Sequence, residues 1–179
     1  EGEVMALAHR ISGRVFPYHA DSARARKIKK ILKVSGRHNL SNAMAVDCLG
    51  EVLHIPSRTR EKALGSFRGV WRRFEYKGKV GPARLFDDYG HHPTEIAATL
   101  KTAKENYKGR VIVIYQPHLF SRTRDFLHQF AESLSIADKT LMVDIYPARE
   151  KPIEGVTSKA IVDVAQNKKI GDFEYLGAK

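Results

Sequence analysis

The chain has 179 residues, a length that suits one folded domain with part of a second. Of these residues 42% are hydrophobic and 28% charged, a composition typical of a globular protein. Its longest purely apolar run, residues 111–115, is far shorter than the roughly 20 residues of a membrane-spanning helix, and its single cysteine excludes an internal disulfide. The first residues show no secretory signal, so we expect a cytoplasmic protein without a membrane partner.

The net charge of +11 is unevenly distributed along the chain. Residues 1–80 carry 17 Lys and Arg against 7 Asp and Glu, whereas residues 81–179 carry 14 against 13. Much of the excess lies in a basic run over residues 24–33. Positive charge of this kind attracts nucleotides, nucleic acids or acidic lipids, and a solvated basic surface explains it equally well.

The first half of the chain predicts two short strands followed by two helices. We place the strands at residues 4–11 and 14–18, and the helices at residues 41–53 and 57–67. Asn39 suits the N-cap of the first helix. Asn39 and Asn42 also offer two amides that match the edge of an adenine, but their spacing alone favours the cap.

From residue 73 onward, strands and helices alternate. We place strands at residues 73–77, 83–86, 111–115, 140–145 and 173–176, and helices at residues 93–107, 124–136 and 158–166. The β-branched run over residues 111–115 predicts a strand buried on both faces. The alternation implies an α/β fold with right-handed crossovers and a mostly parallel sheet.

Ligands of such sheets bind outside the carboxyl ends of the strands, which here precede three polar loops at residues 87–92, 116–124 and 146–155. The types of four side chains suit a divalent cation: Asp87, Asp88, His91 and His92. They lack the paired spacing of a zinc site, so we predict no metal site. Arg122 and Arg124 suit recognition of a carboxylate or phosphate, and pairing of either with Asp125 is the alternative.

Arg72 and Arg73 lie where the basic half meets the neutral half. This position suits an anionic ligand bound in a cleft, or a single structural salt bridge. The chain contains neither a Gly-x-x-x-x-Gly-Lys-Ser/Thr phosphate loop nor a Gly-x-Gly-x-x-Gly fingerprint, and it has no nucleophile paired with a base. These motifs therefore do not identify a reaction.

Five segments, in order, resemble the Mur ligase family. They are residues 36–43 (GRHNLSNA), 67–74 (FRGVWRRF), 87–95 (DDYGHHPTE), 116–125 (QPHLFSRTRD) and 144–148 (DIYPA). The resemblance implies that residues 1–72 form the C-terminal part of a central ATP-binding domain and residues 73–179 a C-terminal Rossmann-like amino-acid-binding domain. The phosphate loop would then lie upstream, and this chain alone would be inactive.

The resemblance also implies the reaction. The matching branch of the family joins L-alanine to UDP-N-acetylmuramate through an acyl phosphate, using ATP and Mg²⁺, in peptidoglycan precursor synthesis. The metal ligands are expected outside this chain, and no nucleic acid is expected as a partner. Two alternatives remain: a related ligase that attaches a recycled tripeptide, and a basic nucleic-acid-binding module.

Individual roles follow from the resemblance by position. His38, Asn39 and Asn42 match the segment at the adenine end of ATP, Arg73 matches the arginine that reaches the phosphates, and Asp88 matches the acidic residue at the ribose. The positions for the incoming alanine and its amine are matched by Tyr89, His91 and Arg122, with His118 and Arg124 beside them. Arg73 and His91 would act in catalysis. Leu119 departs from the pattern, because the family commonly has Arg there.

Overall fold

The computed structural model of the chain describes residues 10–177. The chain divides into two compact units, with the boundary between Arg68 and Gly69. No helix in the described residues is long and apolar enough to cross a bilayer. Most of the strand expected at residues 4–11 lies outside the described range.

The first unit is built from three helices, α1 (Ala23–Ile31), α2 (Arg37–Val52) and α3 (Ser57–Ser66). One side of each helix contributes to a small core, whose buried members are Ala25, Ile28, Leu40, Ala43, Met44 and Leu64. Helix α1 begins where the Ser22 hydroxyl accepts the Ala25 N–H, at 3.1 Å. The strand predicted at residues 14–18 is wrong, because this segment is irregular and no strand forms within residues 10–68 of the described chain.

A buried carboxylate connects the three helices. Asp47 on α2 is only 2% exposed. It accepts two hydrogen bonds from Arg24 on α1, at 2.7 and 2.8 Å, and one from Arg60 on α3, at 2.9 Å. The hydrogen bonds from Arg24 hold the pKa of Asp47 below its usual range. Arg24 and Lys27 also bind Glu61, so part of the basic run serves to hold the helices together.

Helix α2 begins four residues earlier than predicted. Its N-cap is Gly36, whose φ of +101° is available to glycine without a steric penalty. The prediction that Asn39 caps this helix is therefore wrong, since Asn39 lies in the first turn and donates its side-chain N–H to the Ser35 carbonyl at 2.7 Å. Asn42, one turn further on, is exposed.

The second unit contains two sheets. Strands β1 (Glu75–Val80) and β2 (Ala83–Asp87) form an antiparallel hairpin. The parallel sheet has the order β3-β4-β5, with strands Ile112–Tyr115, Lys139–Met142 and Phe173–Tyr175. Its helices are α4 (Pro93–Asn106), α5 (Phe120–Asp125), α6 (Leu127–Leu134) and α7 (Ser158–Lys168). The predicted α/β class with a parallel sheet is confirmed, although β2 belongs to the hairpin rather than to the parallel sheet.

Helices α4, α6 and α7 pack against the parallel sheet around a single core that includes Leu100, Phe130 and Ile161. The prediction that residues 111–115 are buried on both faces is wrong, because Ile112 and Ile114 are 53% and 69% exposed. Ile112 and Ile114 share one face of β3 that is open to solvent, whereas Val113 and Tyr115 on the other face pack into the core. The helix predicted at residues 124–136 is two helices, interrupted at Phe126.

Candidate functional site

Asp88 fixes the loop after β2 against the segment before β1. One carboxylate oxygen, Oδ2, accepts the Phe74 N–H at 2.8 Å, and Oδ1 accepts the Gly90 N–H at 2.7 Å. Gly90 must be small, because a Cβ there would lie 2.8 Å from Asp88 Oδ1. The carboxylate therefore brings residues 72–74 next to Tyr89 and His91.

Two arginines surround the Tyr89 ring. The Arg72 guanidinium lies 4.8 Å from the ring centroid and also donates to Asp87 at 3.3 Å. The Arg73 guanidinium lies 6.0 Å from the same ring, within the range of a cation–π contact. Arg73 is about half exposed, which leaves it accessible to an anion.

Glu95 lies at the start of α4, where Pro93 occupies the first helical turn. Its Oε2 accepts the backbone N–H groups of His91 and His92, at 3.1 and 3.3 Å. Its Oε1 lies 3.6 Å from Arg73 Nη1. Burial alone would raise the pKa of Glu95, but the His91 N–H and the charges of His91 and Arg73 outweigh it and lower the pKa below its usual range.

The orientation of His91 follows from its own loop. Its Nδ1 lies 3.1 Å from the Tyr89 carbonyl oxygen. A carbonyl oxygen only accepts hydrogen bonds, so Nδ1 carries the hydrogen. In the neutral ring, Nε2 then has a lone pair available to accept a hydrogen bond from a ligand.

His118 brings the loop after β3 to the same place. Its ring centroid lies 6.5 Å from that of His91 and 5.6 Å from that of Tyr146, on which it stacks. Arg122 Nη1 lies 3.4 Å from His118 Nδ1 and donates to the His118 carbonyl at 3.3 Å. Burial, together with the charges of Arg122 and His91, lowers the pKa of His118. A neutral His118 accepts from Arg122 through Nδ1 and presents its Nε2 hydrogen to a ligand.

The backbone around His118 is tightly constrained. Leu119 has a φ of +76° and donates its N–H to the Tyr146 carbonyl at 3.0 Å. Its own carbonyl accepts the N–H and the hydroxyl of Thr123, at 3.2 and 2.9 Å. Leu119 thereby turns the chain from the loop into α5 and places Arg122 one helical turn after His118.

The beginning of α5 is occupied by a carboxylate of the chain itself. Glu150 accepts the N–H and the hydroxyl of Ser121, at 2.9 and 2.5 Å. These hydrogen bonds lower the pKa of Glu150. An anionic ligand near Arg122 must therefore bind the side chain rather than the first N–H groups of this helix.

The structure brings most of the predicted residues of this unit together. Arg73, Asp88, Tyr89, His91, His118 and Arg122 form one connected cluster. Arg124 does not join it, because Arg124 Nε donates to Asp125 at 2.8 Å on the surface. His38, Asn39 and Asn42 lie in the first unit.

No group of three His, Cys, Asp or Glu in residues 10–177 is placed to hold a metal ion. The described residues therefore offer no site for Mg²⁺ built from protein ligands alone.

Three further residues contribute to the site, and the sequence assigned no function to them. Glu95 stands three residues after the His92 N-cap, and this capping-box spacing was a usable signal. Tyr146 lies in the matching segment 144–148, but no spacing in the sequence indicates that it pairs with His118 through an isolated parallel bridge. Tyr115 ends β3 with a buried hydroxyl that has no hydrogen-bond partner in the described chain, and periodicity indicates only that its ring is buried.

Comparisons with known proteins identify the family of the chain. The family model described as "Mur ligase, glutamate ligase domain" matches residues 72–177. UDP-N-acetylmuramate–L-alanine ligase of Cutibacterium acnes is 50% identical over 134 residues, covering 74% of this chain and 28% of that protein. The enzyme of the same name from Caldicellulosiruptor bescii is 47% identical over 146 residues, covering 81% and 32%. The chain thus spans less than a third of the length of these relatives.

Two solved structures are similar to the chain. The UDP-N-acetylmuramate–alanine ligase of Thermotoga maritima has a TM-score of 0.65 at 32% identity, covering 82% of this chain and 31% of that one. A murein peptide ligase of Psychrobacter arcticus has a TM-score of 0.57 at 30% identity, covering 82% and 30%. The matched family model covers more than half of the chain, and the connected cluster that contains His91, His118 and Arg122 lies within the matched residues. The chain therefore belongs to the Mur ligase family.

Proposed function

We propose that this chain supplies the amino-acid-binding part of a ligase that joins L-alanine to UDP-N-acetylmuramate with consumption of ATP. The proposal rests on the convergence of His91, His118 and Arg122 at the strand ends of the second unit. The names of the relatives at 47–50% identity supply the substrates.

The cluster suits a small amino acid. The Arg122 guanidinium is a donor for the carboxylate, and the hydrogen on His118 Nε2 is a second donor. His91 Nε2 accepts a hydrogen bond from the amino group and so fixes the position of its nitrogen. Held in this way, the amine is positioned to attack an acyl phosphate without a costly loss of freedom at the reaction step.

Contacts with the nucleotide are proposed for the residues of each unit by itself. Arg73 is half exposed beside the Tyr89 ring and would bind phosphate oxygens, whose developing negative charge it stabilises. Asp88 would contact the ribose through the acceptor positions that Phe74 and Gly90 leave unused. His38, Asn39 and Asn42, at the first turn of α2, would hold the adenine end.

Titration of this chain with L-alanine, monitored through its amide NMR signals, tests the amino-acid site. Arg122→Gln should weaken binding at least about tenfold, since a charge-assisted contact is lost. Arg124→Gln, two residues away, should leave the affinity unchanged because Arg124 pairs with Asp125. Equal affinities for the two variants would contradict the assignment.

The recycling ligase is the competing candidate, since the murein peptide ligase also matches the fold. Of the two solved structures, the alanine-adding ligase is slightly more similar, with a TM-score of 0.65 against 0.57 and 32% identity against 30%, and the relatives at 47–50% identity carry the alanine-adding name. Titration with L-alanine and with a cell-wall tripeptide, side by side, distinguishes them. Tighter binding of the tripeptide would reverse the choice.

We also expect this chain alone to release no phosphate from ATP, because its sequence contains no phosphate loop. Sustained phosphate release from the purified chain, above that of a heat-inactivated sample, would contradict this expectation.

A further inference from the structure

An α-amino acid is a zwitterion, so a site that selects it over a simple acid needs an anion as well as a cation. The cations of the cluster are Arg73 and Arg122. Two carboxylates next to it accept a hydrogen bond from the chain on each of their oxygens. Asp88 accepts one backbone N–H on each oxygen, and Glu150 uses both oxygens for Ser121.

Glu95 differs in how its two oxygens are used. Oε2 is anchored by the N–H groups of His91 and His92, and this anchorage fixes the direction of the whole carboxylate. Oε1 receives no hydrogen bond from any residue of the described chain, and its contact with Arg73, at 3.6 Å, is longer than a hydrogen bond. The side chain is about one-third exposed, so a ligand has access to Oε1.

The position of Glu95 also suits contact with the positive end of a bound amino acid. His91 Nδ1 lies 3.7 Å from Glu95 Oε2, the His91 ring neighbours the His118 ring, and His118 contacts Arg122. Glu95 and Arg122 therefore flank the same pair of imidazoles, with the negative group on one side and the positive group on the other.

We infer that Glu95 Oε1 binds the ammonium group of the incoming amino acid, opposite the Arg122 that binds its carboxylate. This inference rests on the proposed function and names a residue that selects an amino acid over the corresponding acid. Glu95 binds the ammonium form and takes no part in bond making.

The test compares L-alanine with propionate, which has the same carboxylate and carbon chain but no amino group. Glu95→Gln is the informative variant, because its amide oxygen still accepts the two backbone N–H groups of the helix cap while the charge is lost. Glu132→Gln is the matched control, since Glu132 pairs with Lys168 between α6 and α7. Affinities are measured by amide NMR titration of the full chain.

We expect Glu95→Gln to weaken L-alanine binding about tenfold and to leave propionate binding at least as strong as in the wild type. Glu132→Gln should change neither. Wild-type affinity of Glu95→Gln for L-alanine would overturn the inference, and so would an equal loss for both ligands, which indicates a structural role. A wild-type chain that binds no L-alanine would refute the proposed function itself.

Discussion

Replacing Asp47 should destabilise the first unit strongly, because this one buried carboxylate satisfies guanidinium groups from two other helices. Asp47→Ala removes three charge-assisted hydrogen bonds, each contributing at least about 1.5 kcal/mol net. Arg24 is 26% exposed and regains part of its hydration, whereas Arg60, at 12%, regains little. We therefore expect a loss of about 3 kcal/mol, at the lower end of the range for breaking a buried ion pair.

Asp47→Asn is the more selective change, because it keeps the shape and one acceptor but removes the charge. A loss of about 2 kcal/mol is expected from the weaker neutral hydrogen bonds. The control is Asp21→Asn, which breaks the pair with Arg37 in which both side chains are more than 70% exposed; such pairs contribute less than about 1 kcal/mol.

Urea unfolding followed through the amide signals of α2 measures these differences without contributions from the second unit. If Asp47→Asn unfolds within about 0.5 kcal/mol of Asp21→Asn, the network is dispensable and the reasoning is refuted. The result also bears on the proposed function, since α2 carries His38, Asn39 and Asn42, which we propose to hold the adenine end.

Three further predictions concern single groups. Tyr115→Phe should leave the stability unchanged or raise it, because it removes a buried hydroxyl that lacks a partner; a loss above about 1 kcal/mol in urea unfolding would show a hidden hydrogen bond. The first unit should lose stability as the pH falls. Hydrogen bonds from Lys27 and Arg24 lower the folded-state pKa of Glu61 to about 2, from 4.5, so its contribution is complete above pH 4.5 and disappears as the pH approaches 2; unfolding midpoints that stay constant between pH 5 and 2 would contradict this. Glu150→Gln should lower the thermal midpoint of the second unit at neutral pH, since the N–H and hydroxyl of Ser121 lose a charged acceptor. That difference from the wild type should shrink in acid, where Glu150 itself becomes neutral, and a difference independent of pH would contradict the assigned cause.

The elements of the second unit were largely predictable, because strand and helix periods alternate there with clear boundaries. Pro93 marks the start of α4, and the β-branched residues of β3 mark a strand. Burial was less predictable, since an apolar run does not indicate how many faces of a strand are covered. Ile112 and Ile114 are apolar and yet exposed.

The first unit was harder to predict. Helix α1 is rich in Lys and Arg, and this obscured the period formed by Ala25 and Ile28. The motif resemblance supplied the individual site residues. The contacts that these residues make could not be predicted from the sequence. Arg122 and Arg124 stand two residues apart in one short helix, and only the geometry shows that the first turns toward His118 and the second toward Asp125.

The backbone at Leu119 has a consequence for engineering this loop. A residue with a side chain at positive φ stores about 1–2 kcal/mol of strain, and here the neighbouring hydrogen bonds to Tyr146 and Thr123 hold it in place. Glycine at this position would relieve the strain and, at the same time, widen the range of directions in which His118 points. Selection for heat resistance and selection for tight ligand capture would therefore favour different residues at position 119.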